Sequence, residues 1–142
     1  MMWFIGLTIL GFVGMEIFSY LVHRFLFHGV FWHVHQTHHK PNKFYLELND
    51  IFSLLFALTS IGLMISKNET AFPIGLGIAI YGLVYFIIHD FFTHRRFAPF
   101  GSNNRLMLTI RRAHQRHHQS VEKDGLEPFG LFMFDYKKFR RK

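Results

Sequence analysis

Three apolar runs separated by polar, histidine-bearing segments limit this chain more than any other feature. Residues 1–20 carry one ionisable side chain, Glu16, and residues 71–88 carry no Lys, Arg or carboxylate. At about 1.5 Å of rise per residue, a helix over either run spans a hydrocarbon core of about 30 Å. The run at residues 51–65 falls short of the roughly 17 residues usually needed, so it must borrow Leu46 and Leu48 or lie in a locally thinned bilayer. In a chain of 142 residues that is 50% hydrophobic and 18% aromatic, this apolar surface exceeds what one core can bury, and lipid is its natural partner. The expected fold is all-α: one integral-membrane domain over residues 1–142 with about three transmembrane helices. No Lys or Arg precedes the first run and no small-residue cleavage site follows it, so the run is expected to stay as an anchor.

The net charge of +7 fits the same topology. With three crossings and the N-terminus outside, Arg24, Lys40, Lys43 and the twelve Lys and Arg after His94 are cytoplasmic, and only Lys67 lies in the outer loop. That is the positive-inside pattern. It explains the charge without nucleic acid, for which no recognisable module is present. The absence of cysteine excludes disulfides, iron–sulfur clusters and thiolate-bound haem.

The histidines test this topology, because they took no part in building it. All eleven come out on the cytoplasmic side, which an even number of crossings would forbid. Ten fall into two spacings, each used twice in the same order. His23-Arg-Phe-Leu-Phe-His28 and His89-Asp-Phe-Phe-Thr-His94 prolong the first and third runs. His35-Gln-Thr-His38-His39 and His114-Gln-Arg-His117-His118 place histidines at i, i+3 and i+4, within about 100° on one helix face, so three rings can converge on one metal centre. A five-residue step puts two rings about 140° apart on an ideal helix, better suited to reaching two metals than to chelating one. One histidine at a membrane interface is commonly an amphipathic side chain with a wet tip; ten in a doubled pattern are a metal centre. His33 stands outside the pattern.

Imidazole suits zinc, copper, iron and nickel alike. Ten ligands for two ions exceed the four of structural zinc and point to higher-coordinate metals. No His-Glu-x-x-His of a zinc hydrolase and no Glu-x-x-His of a carboxylate di-iron bundle is present.

The residues between the histidines narrow the choice. Gly14-Met15-Glu16, Phe27-His28-Gly29, Trp32, His35-Gln-Thr-His38-His39-Lys-Pro41 and Asn49-Asp50-Ile-Phe-Ser-Leu-Leu-Phe-Ala57 resemble the β-carotene 3-hydroxylases of the membrane fatty-acid hydroxylase superfamily. So do Tyr81-Gly82-Leu-Val-Tyr85-Phe86, His89-Asp90, His94-Arg95-Arg96, Ala113-His114-x-x-His117-His118 and Phe129-Gly130. The resemblance covers roughly residues 11–131; Val30-Phe31-Trp32-His33-Val34 and Phe91-Phe92 depart from it. It implies two iron ions held by the ten histidines, O2 as co-substrate, and hydroxylation of carotenoid β-ionone rings at C3, from β-carotene to β-cryptoxanthin and zeaxanthin. Because the chain has no nucleotide-binding glycine motif and no cysteine cluster, electrons are expected from an external donor such as ferredoxin, for which the basic face is a docking surface.

Four further residues are candidates for supporting the ligands. Glu16 lies seven residues before His23, almost in line with it on a helix, and a carboxylate within a span needs a partner. Asp90 directly follows a ligand. Asn49 and Asp50 open the second apolar helix as cap residues, with a hydrogen bond to a ligand as the alternative. The aromatic segment at residues 129–136, followed by lysines and arginines, is expected to anchor at the interface or border the substrate entrance. Two other readings stay open: a related hydroxylase or desaturase acting on a fatty acid, sphingolipid or sterol, and a non-enzymatic membrane metal-binding protein.

Overall fold

A computed structural model describes residues 1–40 and 46–140; Pro41, Lys43, Arg141 and Lys142, which enter the motif and charge patterns above, lie outside them. Among the described residues the chain is helical and has no strand. Helix α1, Met2–Leu21, passes directly into a π-helix, Val22–Val30, which is kinked at Gly29 where the backbone leaves helical values. Helices α2, Trp32–His39, and α3, Asp50–Ile65, follow. Helix α4, Ala71–Tyr85, again ends in a π-helix, Phe86–Thr93. Helices α5, Arg105–His117, and α6, Tyr136–Phe139, complete the set.

The apolar runs become α1, α3 and α4. With their π-helical ends, α1 and α4 are 29 and 23 residues long with mean hydropathies of 1.8 and 2.1, and less than a quarter of either apolar stretch is buried in the fold. Trp3, Ile5, Ile9, Leu10 and Leu83 are all more than half, or exactly half, exposed, as lipid contact demands. The chain is therefore a membrane-associated helical protein. Helix α3, at 16 residues, reaches only about 24 Å, so it is the short member of the bundle, as its sequence indicates.

Helix α4 lies between the other two. Phe4 meets Phe72 and Phe12 meets Tyr81, so α1 and α4 run in the same direction. They approach closely because Gly11 faces the Ile74 carbonyl and Gly77 faces the Thr8 carbonyl, with no room for a Cβ at either. Helix α3 returns antiparallel, with Ser60 Oγ donating to the Gly75 carbonyl at 2.8 Å. Parallel α1 and α4 bring their π-helical ends, each with a histidine pair, to the same end of the bundle.

That end is capped by α2, by α5 and by residues 118–135. Helix α5 starts where Asn104 Oδ1 accepts the backbone N–H groups of Leu106 and Met107 at 2.9 and 3.2 Å. It buries one face, Thr109, Ile110, Ala113, His114 and His117, against the bundle end.

Candidate metal centre

The pairs use their π-helical backbone to do what an α-helix would not allow. In a π-helix the backbone bonds run from i to i+5, so residues five apart stack on one face; Phe31 N–H donates to Leu26 O, and His94 N–H to His89 O, each at 2.9 Å. His23 and His28 therefore point to one place, with ring centroids 5.2 Å apart, and His89 and His94 likewise at 4.5 Å. The expectation that each pair would reach two metals assumed α-helical geometry and is corrected here.

The triples are what divide. His35 and His39 join His23, His28 and His117 in one cluster; His38 joins His94, His114 and His118 in another. Within each cluster the candidate ligand atoms lie within 4.8 Å of one another. On both α2 and α5 the i, i+4 histidines serve one cluster and the remaining histidine serves the other. His89 stands beside the second cluster, its Nε2 3.2 Å from that of His38. His33 is exposed and belongs to neither.

Protons decide what these clusters can be. In the first, every Nδ1 faces an oxygen that can only accept: Phe129 O for His23, Lys123 O for His28, Asn49 Oδ1 for His35, Ser120 O for His39 and Leu126 O for His117, at 2.6–2.9 Å. Each proton therefore sits on Nδ1, and five Nε2 lone pairs face one another with no hydrogen between them. His23 and His35 Nε2 are 2.9 Å apart, and His28 and His117 Nε2 3.3 Å. A cation among them converts that repulsion into ligation. In the second cluster Glu47 accepts from His38 Nδ1 at 2.7 Å, and His118 Nε2 is buried without a hydrogen-bond partner.

Burial also keeps the imidazoles in the neutral, metal-binding form. It pulls His39 down to about 4, His117 to about 3 and His35 to about 2, and takes His38, His94, His114 and His118 well down too, each helped by neighbouring imidazoles.

The four supporting candidates fare differently. Asn49 is occupied with His35 and makes no side-chain cap bond to α3. Asp90 Oδ2 lies 3.4 Å from His89 Nδ1, without hydrogen-bond geometry, and its other oxygen accepts from Arg96 at 2.7 Å. Asp50 touches no histidine; it accepts from Arg96 and from the Glu47 N–H. Glu16 touches none either. Its carboxylate accepts from Tyr81 Oη at 2.7 Å and from the N–H groups of Phe132 and Met133 at 2.7 and 2.8 Å. It thereby fastens the segment whose Phe129 carbonyl orients His23.

That aromatic segment is consequently not a surface anchor at its start. Phe129 and Leu131 are buried, and the Phe129 ring packs 5.1 Å from both His28 and His117. Sequence reasoning missed Glu47 and Arg96 as partners, and also the carbonyls of residues 120–129, which no side-chain pattern reveals. Burial pushes the Glu47 carboxyl up, against the pull of Arg96.

The clusters open onto a cavity of about 440 Å³ enclosed by α1, α3 and α4. His23, His35, His38, His89 and His114 line one end, Phe27, Phe52 and Phe56 follow, and Ile61, Met64 and Ile78 lie towards the other. From Asn49 to Met64 the lining covers about 22 Å of helix. An apolar slot of this length with polar groups concentrated at one end suits a long lipid-soluble molecule.

The family model for fatty acid hydroxylases matches residues 8–136, and the chain belongs to that family. Its curated relatives are narrower in name. The beta-carotene hydroxylase of Pantoea ananas is 37% identical over 128 residues, covering 84% of this chain and 70% of the relative. That of Pseudescherichia vulneris is 36% identical over 134 residues, 88% of this chain and 73% of the relative. The chloroplastic beta-carotene hydroxylase 1 of Capsicum annuum is 38% identical over 130 residues, 85% of this chain. The chain spans about two fifths of the length of the plant relatives it matches. No solved structure matches it.

Proposed function

We propose that this chain is a single-domain di-iron monooxygenase of the membrane that hydroxylates the β-ionone rings of a carotenoid at C3. One observation carries the reading: five histidine Nε2 atoms gathered within 4.8 Å, the ring protons turned outward on Nδ1, beside four more histidines, at one end of an apolar cavity. His23, His28, His35, His39 and His117 would hold one iron, and His38, His94, His114 and His118, with His89, the other. The names of the bacterial and plant relatives support the carotenoid as substrate.

Bound there, the irons supply the activation of O2 that breaking an unactivated C–H bond requires and that no side chain provides. The chain does the rest. Lys123, Leu126, Phe129, Ser120 and Asn49 hold the protons of the first cluster on Nδ1, keeping each Nε2 free. Phe27, Phe52 and Phe56 line the path along which a ring meets the histidines, and their apolar surface keeps water from the reacting carbon. The slot between the helices admits substrate from the lipid. Orientation follows from charge: the histidines and the basic tail are cytoplasmic and the N-terminus is outside. An external donor such as ferredoxin delivers the electrons on that face.

Expression in bacteria engineered to make β-carotene, with chromatography of the pigments, tests the proposal. Mono- and dihydroxylated products are expected. Unchanged β-carotene, with the protein in the membrane, iron-loaded and supplied with reductant, would refute it.

A further inference from the structure

The two histidine clusters differ in what stands behind them. Every Nδ1 of the first donates to a neutral oxygen, four of them main-chain carbonyls of residues 120–129 and the fifth the Asn49 amide. Behind the second stand carboxylates: Glu47 on His38 Nδ1 at 2.7 Å, and Asp90 at 3.4 Å from His89 Nδ1. Both are buried, with side chains only 8% and 9% exposed.

One side chain ties these carboxylates together. Arg96 places one guanidinium nitrogen 2.7 Å from Asp90 Oδ1 and 3.9 Å from Glu47 Oε2, and the other 2.5 Å from Asp50 Oδ2. Its backbone N–H also donates to the Asp90 carbonyl at 2.8 Å. The turn that delivers it holds Arg95 and Phe97 in left-handed backbone conformations, with φ of 57° and 51°, which side-chain-bearing residues rarely adopt. Three elements thus meet on one guanidinium: the segment before α3, the first residue of α3, and the π-helical end of α4.

We propose that Arg96 is a positioning residue for the second cluster alone, aiming His38 through Glu47 and so setting how tightly the second metal position binds. The inference rests on reading the clusters as metal sites. Without the guanidinium, three neighbouring carboxylates repel, and Glu47 gains by turning to water. His38 then loses the acceptor that keeps its proton on Nδ1, and a proton on Nε2 blocks the atom that must bind metal. Most acceptors of the first cluster come from a different stretch of chain and have no part in this ion cluster. A lysine could hold one carboxylate but cannot span them as a planar fork does.

Cobalt(II) titration of the full chain, purified in detergent and stripped of metal, reads the two positions through visible absorption, with elemental analysis for total metal. The wild type is expected to bind two equivalents. Arg96→Gln should keep the first with unchanged affinity and bind the second at least about tenfold more weakly, and Arg96→Lys should fall between. Equal weakening of both positions in Arg96→Gln, the mark of a merely structural role, would overturn the proposal, and so would no weakening. Should Arg96→Gln fail to fold, the isosteric Glu47→Gln decides: an unaltered second affinity overturns the proposal, and a selective loss supports it. Failure of the wild type to bind two equivalents is a separate outcome, since it removes the metal-site reading itself and the proposal with it.

Discussion

Asn49 Oδ1 lies 2.7 Å from Nδ1 of His35 and leaves the first turn of α3 without a side-chain cap. A residue type that ordinarily starts a helix is here spent on a ligand. Asn49→Ala should therefore change helix content little, while the first metal position loses about 10- to 100-fold in affinity. Circular dichroism and metal titration on the same preparation check the two halves of this expectation.

His117 is fully buried in the first cluster and His33 is exposed outside both. In cells making β-carotene, His117→Ala should abolish hydroxylated pigment and His33→Ala should leave most of it. Comparable losses in both variants would mean that the histidines have been divided wrongly.

Glu16 accepts two hydrogen bonds that pin residues 132 and 133 to the bundle and a third from Tyr81. Glu16→Leu removes the acceptor of two part-buried backbone N–H groups, at a cost of about 1 kcal/mol for each lost bond. Hydrogen exchange across residues 129–133 should rise sharply in that variant, together with easier tryptic cleavage at Lys123. Glu16→Gln, which keeps one carbonyl oxygen for the same donors, should resemble the wild type more closely.

The contact of α1 with α4 admits no side chain at Gly77, whereas Gly62 on α3 has open space. Gly77→Leu should part the two helices that deliver the histidine pairs and lower the metal content of the purified protein. Gly62→Leu, equal in added volume, should leave metal content unchanged.

Much of this architecture is legible in the order of residues. Hydropathy outlines the three helices, and the shared placement of the histidine pairs at the ends of α1 and α4 follows from counting crossings. The assignment of histidines to clusters is not legible in the same way, because it depends on whether the backbone from Val22 and from Phe86 continues as α or widens to π. A five-residue step means opposite things in the two cases. Glu47 escapes notice for another reason: it follows His38 by nine residues and meets it only after the intervening chain has turned. Glu16, a carboxylate within a span, needs partners, but the sequence does not say which: two of them are more than a hundred residues away, and the third is Tyr81.

The carbonyls of Ser120, Lys123, Leu126 and Phe129 set an order on the protein's birth. His23, His28 and His39 leave the ribosome some eighty or more residues before the backbone oxygens that orient them. Until residue 129 has been made and folded back, these imidazoles are free to take either tautomer, and a metal bound at the first cluster would load only after that event. Because the oxygens belong to the main chain, the side chains at 120, 123 and 126 can vary without disturbing it, so long as the path of the backbone is kept.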